Sequence, residues 1–441
     1  MSHPKYYAPD VEIMSADAMQ AMQLAKLGPQ LGYLAERSPF HQDILREAGM
    51  EAGDLKSLSD LAKLPFTEKS DLRKSQEICP PLGRHAAADM ADVVRVHASS
   101  GTTGTPSFVG ITQFDKQRWI DCIARGFWSQ GMRPEDVFAM GMSIGFFVGG
   151  LPVSNAVEQI GATLLPIGTG ASDRLISSIQ KMRATILATT PSYANYLAEI
   201  ARDQMGIETA ELGIKHVMVG AEPGGGIPSV RAQIEANWNA KCTEAIGNAD
   251  VITIHSAECE AQDGCHFMVP DYLLMEIIDP DTGAVQDMNA PMVEGEMVFT
   301  HLDRQCNPVL RFRTRDRVVI NTTPCACGRT GPRLRCIGRS DDLLIVRGVN
   351  VWPSAIRDVV LGFQPDVSGE LRIILTQPGP MVSPPLHIQV ETVGSSPGEG
   401  LAQKIKEELR SKLIFAAKVE LVPPNSLARS EMKSALIEHR Y

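Results

Sequence analysis

A chain of 441 residues, 44% of them hydrophobic, has the material for a large buried core and for more than one domain. Its 42 Lys plus Arg against 52 Asp plus Glu leave a formal charge of −10 with no long run of either sign, which excludes generic nucleic-acid binding. No apolar run approaches the ~18 residues of a membrane span, and Met1 to Asp10 lacks the basic-then-apolar order of an export signal, so a cytoplasmic protein away from membranes is expected. Nine cysteines in such a chain point to free thiols or a metal site rather than a disulfide framework.

Apolar segments around Val96 and at Val137–Met142, Thr163–Ile167, Thr185–Thr189 and His216–Gly220 read as buried strands. Helix-like stretches lie between them, at Gln113 to Gln130, Val153 to Ile160 and Ser192 to Arg202. This repeated β-α order predicts an α/β fold with a largely parallel sheet. Beyond about Phe267 the strands shorten and turns multiply, as at Tyr272 to Ile278 with Asp279-Pro-Asp-Thr-Gly after it and at Glu294 to Thr300, so a smaller antiparallel part is expected there.

The polar stretch Gly338-Arg-Ser-Asp-Asp342 predicts a boundary, with an N-terminal domain over 1–338 and a small α+β domain over 339–441. The second would contain strands at Leu343 to Arg347, Leu371 to Thr376 and Leu386 to Thr392, and a helix from about Pro353. A further helix has Leu401, Ile405, Leu409 and Leu413 along one face.

Directly after the strand around Val96 comes Ser99-Ser100-Gly101-Thr102-Thr103-Gly104-Thr105-Pro106. Its two glycines allow close backbone approach and its hydroxyls supply donors, an arrangement suited to phosphate oxygens. No Gly-Lys-Ser/Thr follows, so it is not a Walker loop.

With this loop, the blocks Tyr6-Tyr7, Phe147-Val-Gly-Gly150, Thr190-Pro-Ser-Tyr193, Gly220-Ala-Glu-Pro223, Arg311-Phe-Arg-Thr-Arg-Asp316 and Gly338 to Val351 stand in order along nearly the whole chain. In these the sequence resembles the adenylate-forming superfamily and, within it, the phenylacetate–CoA ligases. The resemblance implies a large multi-subdomain N-terminal domain and a small mobile C-terminal domain. It also implies an AMP-forming acid–thiol ligase that uses ATP and Mg²⁺ to adenylate an aromatic acid and passes the acyl group to coenzyme A, as a homodimer.

Residue by residue, the resemblance gives Ser99 to Thr105 the phosphates, Gly220, Ala221, Glu222 and Pro223 the adenine plane, and Asp316 the ribose hydroxyls, where a carboxylate accepts two donors. Arg339 joins this nucleotide set. Many relatives carry Lys where Thr105 stands. Ala245-Ile-Gly-Asn-Ala-Asp250 occupies the place of the family's aromatic-Gly-x-Ser/Thr-Glu motif: Ile246 replaces the aromatic, Ala249 removes the hydroxyl, and Asp250 keeps a hard oxygen ligand for Mg²⁺ on a shorter stem. Lys433 in Arg429-Ser-Glu-Met-Lys433 corresponds to the lysine that enters during adenylation, with Met432 in place of Gly. Asp341 corresponds to the hinge, and Arg347 with Gly348 to the face used with coenzyme A.

Phe146, Phe147, Gly149 and Gly150, with Ile246, Gly247 and His255, are expected around the acid, the aromatics packing on a flat ring and His255 meeting a polar substituent; core packing is the alternative for the phenylalanines. Cys325-Ala-Cys327 and the pair Cys259/His266 supply four ligands suited to a structural tetrahedral Zn²⁺ near the Asp250 segment, with Cys265 competing for the fourth place. Two other functions remain open on sequence: loading of a carrier-protein thiol, and a nucleotide-binding protein without turnover.

Overall fold

The strand–helix alternation between Val137 and Gly220 is present in the computed structural model, which describes residues 3–99, 107–394, 398–429 and 436–441. Val137–Met140, Thr163–Leu165, Ile186–Thr189, His216–Gly220 and Lys241–Asn248 run parallel to one another, wholly buried at Ile186–Thr189. The intervening helices begin where caps permit. Thr112 caps Gln113–Ser129 in a reciprocal box with Asp115, and Thr190 accepts from the Tyr193 N–H ahead of Pro191–Met205. Gly206, in the left-handed region, ends the latter.

Two expectations need correction. The antiparallel part begins before Phe267, because Lys241–Asn248 turns at Ala249–Val251 straight into Ile252–Glu258, and a three-residue connection joins only antiparallel neighbours. It continues the parallel part in one sheet: among the described residues Cys265–Phe267, Arg333–Arg339, Phe312–Asn321, Met292–His301 and Leu273–Ile278 complete eleven strands. The strand at Val93–Ala98 lies outside that sheet and pairs antiparallel with Phe108–Thr112, which returns from the Ser99 to Ser107 loop.

Ahead of these elements stand helices that the sequence reading did not single out, Ala16–Arg37, Pro39–Glu47 and Lys69–Ile78. Leu27, Leu31 and Leu34 of the first are buried against Leu274, Leu302 and Leu310. Towards the other end of the chain, Leu344 to Ile437 form their own apolar cluster. It sits between the helices Pro353–Leu361 and Leu401–Leu413 and a sheet ordered Ala417–Val422, Leu386–Thr392, Val367–Leu375, Ile437–His439. Leu401, Ile405 and Leu409 are buried on one helix face, as their spacing predicts. No described helix is long and apolar enough to cross a membrane, and all nine cysteines are free.

Candidate functional site

Ser99 and Ser107, which flank the segment 100–106 expected to meet phosphate, are tied to each other. The Ser99 N–H donates to the Ser107 carbonyl at 2.9 Å, the two hydroxyls are 2.9 Å apart, and both residues are buried. Ser100, Gly101, Thr102, Thr103, Gly104 and Thr105 themselves lie outside the described residues, as does Lys433.

The Ser107 hydroxyl also donates to Asp250 Oδ1 at 3.2 Å. Asp250 sits in the turn between Lys241–Asn248 and Ile252–Glu258 and is 3% exposed. Its Oδ2 is 2.6 Å from the ammonium of Lys69, the first residue of Lys69–Ile78. From below, Arg304 Nη1 donates to the Asp250 and Val251 carbonyls at 3.3 and 2.7 Å, and His301 Nε2 lies 3.0 Å from the latter. Asp250 has hard oxygens of the kind that would suit Mg²⁺, here engaged by Lys69 and Ser107. Sequence reasoning missed Lys69; the reciprocal Glu68/Asp71 cap marks its helix start, but nothing local marks its partner.

Gly247 in the same segment is obligatory, since a Cβ there would stand 1.7 Å from the Thr253 carbonyl oxygen. Thr253 donates its hydroxyl to the Val148 carbonyl at 3.1 Å, and Ala98 donates its N–H to the Phe146 carbonyl at 3.0 Å. These bonds draw the loop 146–150 against both the phosphate-loop stem and the Asp250 hairpin. Phe146 is half exposed and packs on Phe108 with ring centroids 5.8 Å apart, while Phe147 and Gly149 are partly exposed. Gly150 is buried where a Cβ would meet the Ser143 carbonyl oxygen at 2.6 Å. Ile246 is partly buried against the main core cluster. His255 is fully enclosed on the Phe299 ring, with Nδ1 2.9 Å from the Ser256 hydroxyl; burial pushes its pKa down to about 3, so it stays neutral.

Gly220 ends its strand with its Cα against the Ala245 carbonyl, and Ala221 then adopts φ 72°, in the left-handed region. Glu222 turns inward to accept from the Ser192 N–H at 2.8 Å, and Pro223 leads into Gly224 to Gly226. Asp316 takes Arg339 Nη1 at 3.0 Å, and the same guanidinium forks onto both oxygens of Asp341 at 2.8 Å. One arginine therefore joins three of the expected positions. Arg347 (φ 51°) and Gly348 (φ 82°) make an exposed two-residue turn between Leu344–Val346 and Val349–Val351.

The four expected metal ligands converge, all donor atoms of Cys259, His266, Cys325 and Cys327 lying within 4.8 Å of one another. Cys259 Sγ is 3.8 Å from Cys325 Sγ, and Cys327 Sγ is 3.3 Å from His266 Nε2. His266 Nδ1 is 2.9 Å from the Gly331 carbonyl, which only accepts, so Nδ1 carries the proton and the Nε2 lone pair faces the sulfurs. Backbone N–H groups of Ala261 and Arg329 point at Cys259 and Cys327. Hydrogen bonds from Cys259 and from the Arg329 N–H hold the Cys327 thiol well below its ordinary range. The donor set and its protons fit Zn²⁺. Cys265 is not among the ligands; its thiol donates to the Glu244 carbonyl. The cluster also lies at the far end of Ile252–Glu258 from Asp250, roughly 20 Å along the strand, which corrects its expected place beside the Asp250 segment.

The family model for AMP-binding enzymes matches residues 4–301, and that for the AMP-binding enzyme C-terminal domain matches 348–440. The chain is 34% identical to a phenylacetate–coenzyme A ligase of Thermus thermophilus, over 96% of this chain and 97% of that one. It is 32% identical to the Escherichia coli K12 enzyme of the same name, over 97% and 96%. A crystal structure of 2-hydroxyisobutyryl-CoA ligase with an acyl-AMP, in the postadenylation state, is 30% identical over 99% of this chain and 93% of that one, with a TM-score of 0.92. The same ligase with coenzyme A in the thioesterification state gives 0.74, at 31% identity over 100% and 94%. The chain belongs to the adenylate-forming AMP-binding enzymes, among the phenylacetate–CoA ligases.

Proposed function

We propose that this chain activates an aryl or arylacetic acid with ATP and transfers the acyl group to coenzyme A. The observation that carries it is the convergence of Ser99 and Ser107, the Phe146 to Gly150 loop and the buried Asp250 carboxylate, an arrangement that would set a carboxylic acid beside a triphosphate. A carboxylate oxygen attacks the α-phosphorus, forming the acyl–phosphate bond as the bond to pyrophosphate breaks. The thiolate of coenzyme A then attacks the acyl carbon and AMP leaves. The first step joins two anions, so charge compensation and alignment are what the protein must supply. Mg²⁺ bound at Asp250 would neutralise phosphate charge. Gly220 to Pro223 with Asp316 and Arg339 would hold the nucleoside, and Lys433 would approach for adenylation.

Residues 339–441 would form a domain that turns about Asp341 and then offers the Arg347-Gly348 turn to coenzyme A. The higher TM-score against the postadenylation state than against the thioesterification state supports this reading, with the present arrangement as the earlier one. Cys259, His266, Cys325 and Cys327 would hold a structural zinc, and the family resemblance favours a cytoplasmic homodimer.

The test is AMP release from ATP, Mg²⁺ and coenzyme A across a panel of acids. Arylacetates should turn over fastest. Preference for a branched hydroxy acid, the chemistry in the name of the structurally similar ligase, would shift the substrate class. Absence of AMP with every acid and with a carrier-protein thiol would leave a nucleotide-binding protein without turnover.

A further inference from the structure

The segment after Pro223 is held by a buried charge cluster that the reaction as described does not use. Gly224, Gly225 and Gly226 lie so close to their surroundings that a Cβ would meet Pro191 at 2.5 Å, Val219 at 2.6 Å and Glu244 Oε2 at 2.8 Å respectively. The side chain of Glu244, 7% exposed, packs directly under Gly225 and Gly226, with its carboxylate turned to their backbone N–H groups. Arg231, on the helix Pro228–Trp238, donates Nε to the Gly225 carbonyl at 2.7 Å. Its Nη2 meets both oxygens of Glu258 at 2.7 and 2.8 Å, and Glu258 in turn accepts the Glu244 N–H at 2.9 Å. One guanidinium therefore faces two buried carboxylates. The other titratable groups around Glu244 are the thiols of Cys242, Cys265 and Cys336, all held above their ordinary range by burial.

We propose that Glu244 is a positioning residue for the nucleotide, and that its ionisation decides how firmly the loop beside the adenine is held. The proposal rests on the reading of Gly220 to Pro223 as the adenine segment. An ionised carboxylate accepts both glycine N–H groups strongly, and a protonated one accepts them about half as well. Arg231 is already engaged by Glu258, so burial, reinforced by the Glu258 charge, pushes Glu244 up to about 7. The loop is firmest above that pH and loosens below it. Stability moves the other way. A carboxyl whose folded pKa lies above its ordinary value contributes stability at low pH that is lost as pH rises through about 7.

Equilibrium titration of the whole protein with AMP, at about pH 6 and about pH 8, reads this without turnover. The wild type should lose about five-fold in affinity at the lower pH beyond any change in Glu244→Gln, which cancels titration of the ligand. Between the same two pH values the melting temperature of the wild type should fall relative to that variant as pH rises. Parallel affinity profiles in the two proteins would overturn the proposal. Should Glu244→Gln not fold, Glu244→Asp withdraws the charge from the glycines by one bond and should weaken AMP binding at about pH 8; wild-type affinity there would equally overturn it. A wild type that binds no AMP at either pH overturns the adenine reading itself, and this proposal with it.

Discussion

The two ends of the Ile252–Glu258 strand carry the two proposed metal positions, and they are built on opposite plans. At the Asp250 end a single carboxylate is neutralised by one lysine that is a third exposed, with a serine hydroxyl beside it. Its partners are exchangeable, because water can solvate Lys69 when another cation arrives. At the Cys259 end four donors face one another, two backbone N–H groups support the sulfurs, and His266 is fixed by Gly331. Such a site is complete once filled. A carboxylate whose partners can be exchanged suits a cation that comes and goes with a substrate, and a closed quartet suits one that stays.

Asp250→Asn tests the first plan and should have the largest effect. The amide keeps the shape and loses the charge, so pyrophosphate release in the adenylation half-reaction should fall about 100-fold. The melting temperature should change little, because Lys69 can turn to solvent. If instead stability collapses and the rate follows only the folded fraction, Asp250 is a structural carboxylate and the contrast between the two ends disappears.

Cys327→Ser tests the second. Chelator-free protein should contain about one zinc per chain, and the variant should lose it along with several degrees of thermal stability, since metal binding is partly folding free energy. Adenylation should fall by less than about ten-fold. Whatever falls should be nucleotide affinity, because Cys259 adjoins Glu258 and the Arg231 cluster, not the Asp250 turn. Metal analysis that finds no zinc returns the four residues to ordinary packing.

The Cys/His quartet was legible in the sequence because a Cys-x-Cys turn is local and thiols and imidazole in pairs carry a chemistry of their own. The α/β order was legible for the same reason, since the alternation of apolar runs with helical patterns repeats within short windows. The neutralising partner of Asp250 was not. Lys69 stands 181 residues away, and a lysine opening a polar helix looks like solvated surface. Glu244 and Glu258 were missed differently: each is the single acidic residue of its strand, a signal visible in Cys242-Thr-Glu244 and Ser256-Ala-Glu258, but the arginine that makes their burial tolerable lies on another element. The onset of the antiparallel sheet was misplaced because the Ala249–Val251 turn was read for its carboxylate and not for the direction it imposes on the chain.

The smallest effect expected is that of Ser107→Ala, and it separates two explanations of the Asp250 end. The hydroxyl gives Asp250 one hydrogen bond at 3.2 Å, long for a charged acceptor, and is shared with Ser99 at 2.9 Å. Its removal leaves the Lys69 ion pair and the Arg304 contacts to the turn intact, and it leaves the backbone bond from Ser99 to Ser107 that closes the loop. If charge is what matters at Asp250, adenylation should slow by only about five-fold, the ~1 kcal/mol of a single net hydrogen bond, with the Michaelis constant for ATP nearly unchanged. If the serine instead transmits the geometry of the phosphate loop to Asp250, the Michaelis constant for ATP should rise by an order of magnitude or more while the protein melts as before. That second outcome would make the Asp250 end a coupled loop rather than a carboxylate that acts by its charge alone.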